Sequence, residues 1–243
     1  MKRLLSTALA VALLLGLGAL AVLARGGGDI LTPADNAVAV AAQPQTAAAP
    51  LTTPKYNVIA FPLNAASTIP DAAALVVYLN RAAPGQPKSV DQVLHWNAAA
   101  QDFTDYYFPN LGLGTSFPIQ VGEAYWILLD QTAPNILSIV GDVPPAAPAV
   151  GAIKYNMHGA TPICLYNNII IPLDRTGKNI NMASDLVTAM GGPAVVDQVL
   201  QWDATAQDFT NFLFPNLPGV GTDFPVQVGY PYMVCLRSDK VWP

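Results

Sequence analysis

The run VDQVLHWNAAAQDFTDYYFPN at Val90–Asn110 returns as VDQVLQWDATAQDFTNFLFPN at Val196–Asn216, 106 positions later. In each run, two stretches rich in β-branched and aromatic residues flank a small polar turn, Asn97–Gln101 or Asp203–Gln207. That pattern predicts a β-hairpin. Two more lines recur around it. Tyr56-Asn57-Val-Ile-Ala-Phe-Pro62-Leu63 matches Tyr166-Asn167-Asn-Ile-Ile-Ile-Pro172-Leu173, and Phe117-Pro-Ile-Gln-Val-Gly122-Glu-Ala-Tyr125 matches Phe224-Pro-Val-Gln-Val-Gly229-Tyr-Pro-Tyr232. The chain is therefore read as two copies of one unit. Each copy serves as a control for the other, since a group needed in every copy should occur twice.

Working outward, Asn57–Pro62 and Asn167–Pro172 are short apolar runs stopped by proline and predict buried strands. A helix is expected next. In the first copy Ser67 or Thr68 caps it, Pro70 suits its first turn, and Leu75, Val76 and Leu79 share a face. In the second, Met182, Leu186 and Met190 recur every fourth residue before Gly191-Gly192. Beyond the hairpin a final strand runs over Ala124–Leu129 or Pro231–Leu236, and the first copy adds Ile136–Val140. The expected fold is α+β and β-rich: two tandem copies of a small, mostly antiparallel sheet module with one helix packed on each sheet. The expected boundaries are 1–24, a signal peptide or membrane anchor; 25–54, an Ala/Pro/Thr-rich tether; 55–143, module 1; 144–149, a Pro/Ala linker; and 150–243, module 2. Within the tether, Ala37–Ala42 alternates like a strand in search of a partner.

Charged residues are 11% of the 243, against roughly 25% in an ordinary soluble protein. Net charge is −5 with only 11 Lys+Arg, which argues against nucleic acid, where affinity comes from neutralising phosphates. Lys2-Arg3 followed by the uncharged apolar stretch Leu4–Ala24 reads as a signal segment cleaved after Ala24, or as an uncleaved anchor. Either places the remainder outside the cytoplasm, with membrane contact only through that segment. In such a compartment Cys164 and Cys235 are expected to pair, closing a 71-residue separation, the alternative being two buried thiols. Their counterparts in the first copy are Pro54 and Leu128, so a bridge there staples the second copy alone.

Catalytic chemistry finds little support. His95 is replaced by Gln201, and His158 sits in a turn the first copy lacks. No nucleophile–base pairing, zinc-ligand spacing or phosphate-binding loop occurs. Asp91/Asp197 and Asp102/Asp208 are acidic in both copies, a pattern open to a carboxylate pair or a Ca²⁺ site, but one that strand starts and hairpin turns also favour. No metal and no cofactor is implied. The aromatics stand out: Trp96/Trp202, Phe103/Phe209, Phe108/Phe214 and Tyr125/Tyr232 recur, and Tyr106, Tyr107 and Trp126 belong to the first copy only. They read as cross-strand packing. Trp96, Trp202, Tyr106 and Tyr107 are also the candidates for a sugar-binding face. Asn57/Asn167, Gln92/Gln198 and Gln101/Gln207 are expected to bond to backbone.

The order Y-N-x-I-x-x-P-L, V-x-Q-V-L-x-W-[DN]-x-x-x-Q-x-F, F-x-[IV]-x-x-G-x-x-Y resembles tandem modules of secreted bacterial cell-surface proteins of unassigned activity. The resemblance covers nearly all of Tyr56–Pro243 and implies location and architecture, with no catalytic residues. A cysteine ahead of the Y-N strand belongs to that pattern, which Cys164 fits and Pro54 does not. The function expected is a non-enzymatic extracellular or cell-surface protein with a structural or adhesive role. Two alternatives are a carbohydrate-binding pair using exposed aromatics, and a self-assembling surface subunit in which Ala37–Ala42 adds a strand to a neighbour. The partners in view are cell-envelope components, surface glycans or copies of itself.

Overall fold

The computed structural model describes residues 37–40, 55–81, 90–129, 137–173 and 179–243. They belong to one compact unit, Asn36–Pro243; Met1–Asp35, which holds the expected signal or anchor segment, lies outside the described residues. The strands are β1 (Ala37–Val40), β2 (Lys55–Ala60), β3 (Val90–Asn97), β4 (Asp102–Phe108), β5 (Leu113–Gly114), β6 (Ala124–Leu129), β7 (Leu137–Val140), β8 (Tyr155–Met157), β9 (Leu165–Ile170), β10 (Val196–Asp203), β11 (Asp208–Leu213), β12 (Pro231–Leu236) and β13 (Lys240–Trp242). One helix spans Ala72–Arg81 and another Ala183–Ala189. The fold is thus α+β and β-rich. No helix among the described residues is long and apolar enough to cross a membrane.

Two sheets dominate, with orders β2-β6-β3-β4-β5 and β9-β12-β10-β11, and every ladder between named strands is antiparallel. The hairpins form as expected, Asn97 facing Asp102 and Asp203 facing Asp208. The central strands carry the clearest signal. AYWILL in β6 and YMVCL in β12 are apolar without alternation, as a strand must be when both faces are covered. One face of the first sheet packs Val90, Val93, Tyr125 and Ile127 against Leu75, Val76 and Leu79 of the first helix. Likewise Val196, Val199, Tyr232 and Val234 pack with Leu186, Val187 and the following Met190. The opposite faces of the two sheets meet each other around Leu94, Trp126, Leu200 and Met233.

Three expectations are corrected. The first helix is capped by Asp71, whose Oδ1 accepts the Ala74 N–H at 2.8 Å, and neither Ser67 nor Thr68 does this. Its start is set by Pro70, which cannot donate and so fits just outside the first turn. The stretch 25–54 is not wholly a tether, because Ala37–Val40 is a strand registered antiparallel on Leu137–Val140 of the same chain. Alternating valines and an available edge on β7 outweigh the Ala-rich composition. Finally, Gln92 and Gln198 accept from tyrosine hydroxyls, as described below, and among the described residues no bond of theirs to backbone is seen.

A smaller pair, β8 with β13, flanks β9–β12 along the chain as β1 and β7 flank β2–β6. Tyr155 of β8 is a fixed point: its buried hydroxyl donates to the Gly122 carbonyl at 2.6 Å and accepts the Ile170 N–H at 3.1 Å. Gly122 has φ +89°, and a Cβ there would lie 2.8 Å from Ile153 Cγ2, so glycine is required on both counts. Asn167, nearly fully buried, donates to the His158 and Leu165 carbonyls and accepts the His158 N–H, anchoring β8's exit onto β9. Asn57 repeats the local part of this, donating to the Lys55 carbonyl at 3.3 Å.

Cys164 and Cys235 form the expected disulfide, across a separation of 71 residues, and no free cysteine remains. Loop-closure entropy assigns it roughly 4 kcal/mol. Replacing both cysteines by serine should therefore lower the free energy of urea unfolding by that order. A loss below about 1 kcal/mol would show that the unfolded second copy is already constrained by other means.

Candidate functional site

Several groups common to both copies, among them Tyr56/Tyr166, Trp96/Trp202 and Phe103/Phe209, converge on the face between the sheets. The hairpin turns are built first by their own residues. Asn97 Oδ1 accepts the Ala99 and Ala100 N–H groups, both at 3.0 Å, and Asp203 Oδ1 accepts those of Thr205 and Ala206. Each turn then closes through a glutamine in the left-handed region, Gln101 at φ 51° and Gln207 at φ 56°. Hairpin positions of this kind favour glycine, and a longer side chain there is strained.

The reason for glutamine lies in the other copy. Gln207 Nε2 donates to the Tyr56 carbonyl at 2.8 Å while its Oε1 accepts the Tyr56 N–H at 2.7 Å. Gln101 does the same to Tyr166, with both bonds at 2.9 Å. Each amide also donates back to its own turn, to Ala204 or Ala98. Because β2 and β9 are the edge strands of their sheets, a side-chain amide from one copy completes the free edge of the other.

The tryptophans reinforce the same point. Trp202 Nε1 donates to the Tyr56 carbonyl at 3.1 Å and Trp96 Nε1 to the Tyr166 carbonyl at 2.9 Å. Both indoles are half-buried and meet Phe209 and Phe103 edge-on at 5.2 Å. The hydroxyls of Tyr56 and Tyr166 donate to Gln92 and Gln198 at 2.9 and 2.6 Å. Burial raises the pKa of both tyrosines, and Asp197 raises that of Tyr166 further, so both stay protonated as donors. The paired Phe–Pro–x–Gln and Tyr lines have a local use: Tyr125 and Tyr232 each accept the N–H of a glutamine, Gln120 or Gln227, at 2.8 Å.

The other sequence candidates lie apart from this face or point elsewhere. Tyr106, 38% exposed, packs edge-on against Phe108 at 5.5 Å, while its neighbour Tyr107 turns to the opposite side, against the core under the first helix. The four aromatics Trp96, Trp202, Tyr106 and Tyr107 therefore do not line one open strip. Asp91 accepts from Asn110, and Asp197 from Asn216 and Arg237. Asp102 and Asp208 accept the N–H of the following phenylalanine, both at 2.8 Å. Among the described residues no group of three His, Cys, Asp or Glu is placed to hold a metal ion.

One titratable cluster belongs to the first copy alone. His95 has Nδ1 3.3 Å from Asp105 and Nε2 3.4 Å from Glu123, with its ring 5.1 Å from that of Tyr125. The second copy has uncharged Gln201, Asn211 and Tyr230 at these positions, with Asn211 donating to Gln201 at 2.9 Å. Burial, the largest single influence on His95, lowers its pKa, but the combined pull of Glu123 and Asp105 outweighs it and the net direction is upward.

The glutamines were legible as shared residues but not as contacts across copies. The available signal was a long polar side chain held twice at a turn position suited to glycine. No family model, curated protein or solved structure matches the chain.

Two outcomes follow from this geometry. Gln207→Gly removes the turn strain, so a purely local role predicts a gain of up to about 1 kcal/mol. Loss of the bonds to Tyr56 predicts a net fall of about 1–3 kcal/mol instead, measurable by chemical denaturation. His95, with its folded pKa raised, adds stability that is fully present below about pH 6.5 and disappears as pH rises through the folded value. His95→Gln should flatten that stretch of the stability–pH curve, by less than about 1 kcal/mol because all three groups are partly exposed.

Proposed function

We propose that the chain is a non-catalytic extracellular or cell-surface protein with a structural or adhesive role, built from two tandem modules docked through their own repeated motif. One observation carries this reading: the glutamines and tryptophans present in both copies bond to the sheet edge of the other copy. A shared catalytic group would be expected twice around a common opening, and the only His–carboxylate cluster among the described residues is confined to one copy. The disulfide points to an oxidising, non-cytoplasmic environment. The low charge and the resemblance to modules of secreted surface proteins agree with that setting.

A sugar platform on Trp96 and Trp202 is disfavoured, because both indole N–H groups already have acceptors and both rings are half-buried between the sheets. Assembly by strand donation from Ala37–Ala42 competes with the pairing of Ala37–Val40 on its own chain.

If the modules are docked as described, calorimetry of the full chain should give a single transition with equal calorimetric and van't Hoff enthalpies. Incubation with polysaccharides and peptides should give no turnover. Reproducible hydrolysis that is abolished by Asp91→Asn with Asp197→Asn, or by Asp102→Asn with Asp208→Asn, would overturn the non-catalytic reading.

A further inference from the structure

The docking face poses a problem of identity. Tyr56/Tyr166, Leu94/Leu200, Trp96/Trp202, Gln101/Gln207 and Phe103/Phe209 are the same in both copies and sit on the same face. A surface that fits its own near-duplicate by a two-fold relation also fits the same surface on another molecule. Each first copy has, in principle, three kinds of partner: the second copy of its own chain, and the first or the second copy of another.

The buried centre breaks this equivalence. Of its four buried members two are matching leucines, and the others are Trp126 and Met233, which occupy corresponding ladder positions. Trp126 lies between Val58 and Leu94, and Met233 between Asn168 and Leu200. Trp126 crosses the interface to meet Trp202 edge-on at 4.9 Å and Phe209 at 6.2 Å. Its indole N–H is buried with no hydrogen-bond acceptor among the described residues, so what the side chain contributes here is bulk.

We propose that Trp126 and Met233 are the specificity-determining pair of this interface, one large and one slender side chain that fit each other's copy and not their own. Two first copies would bring two tryptophans into one centre and overpack it. Two second copies would bring two methionines and leave a void. Discrimination by size then directs each copy to an unlike partner, and the covalent link presents the one in the same chain at high effective concentration.

The proposal rests on the shared face being a docking surface, and the test separates the two. Trp126→Met and Met233→Trp are made singly and together in the full chain, and urea unfolding is followed. Each single change is expected to lower the folding equilibrium constant about tenfold or more. The double exchange restores the large–slender match in reversed order and is expected to recover at least half of the summed loss on a logarithmic scale. A double variant that folds when a single one does not counts as the same result. Additive losses, or a double variant that fails to fold while both single variants fold, overturn the pairing rule. The docking reading itself stands or falls separately, on whether Gln207→Gly destabilises.

Discussion

A side-chain amide that takes the place of a neighbouring strand is the contact on which this structure turns. An edge strand leaves backbone N–H and C=O groups open to any chain that presents a matching edge. Here one glutamine from each copy meets both open groups of a single tyrosine in the other, with a tryptophan N–H as second donor to the same carbonyl. The contact is short in extent but sets register between the sheets. With Tyr56 and Tyr166 held, the aromatic side chains beside them pack against one another across the sheets.

That constraint explains the conformational cost accepted at the turns. A glycine would relax Gln101 and Gln207 but has no amide to offer. It also explains why the hairpin is the most faithfully repeated line of the chain. In one stretch it supplies the turn caps, the edge-completing amide, the tryptophan donor and part of the aromatic filling. Sites where local preference is violated often mark a use elsewhere in the structure, and these two positions fit that pattern.

Much of the fold was legible in the sequence, and the reasons differ by element. The hairpins, the buried Y-N strands and the cysteine pairing could be read because period, turn chemistry and compartment each constrain them locally. Asp71 is hidden as the helix cap because Ser67 and Thr68 offer a competing start about one turn earlier, with Pro70 then falling inside the first turn. The alternation of Ala37–Ala42 shows a strand but not its partner, because the pairing edge, Leu137–Val140, lies about a hundred residues away along the chain. The interface was the hardest part. Repetition says that Trp96, Trp202, Gln101 and Gln207 are used twice, but it does not say what lies opposite them. The unbroken apolar runs of β6 and β12 are the local signs that both faces of the sheets are covered.

The asymmetric staple has a mechanical consequence. A chain held at one end and pulled at the other, once its sheets have given way, lengthens by up to about 3.4 Å for each residue released. The bridge between Cys164 and Cys235 keeps the 71 residues of that interval out of the extension. Roughly 240 Å of contour is therefore withheld from the second copy for as long as the sulfurs stay joined. Both cysteines of the chain lie in that bridge, so no comparable length is withheld from residues 55–143 under the same load.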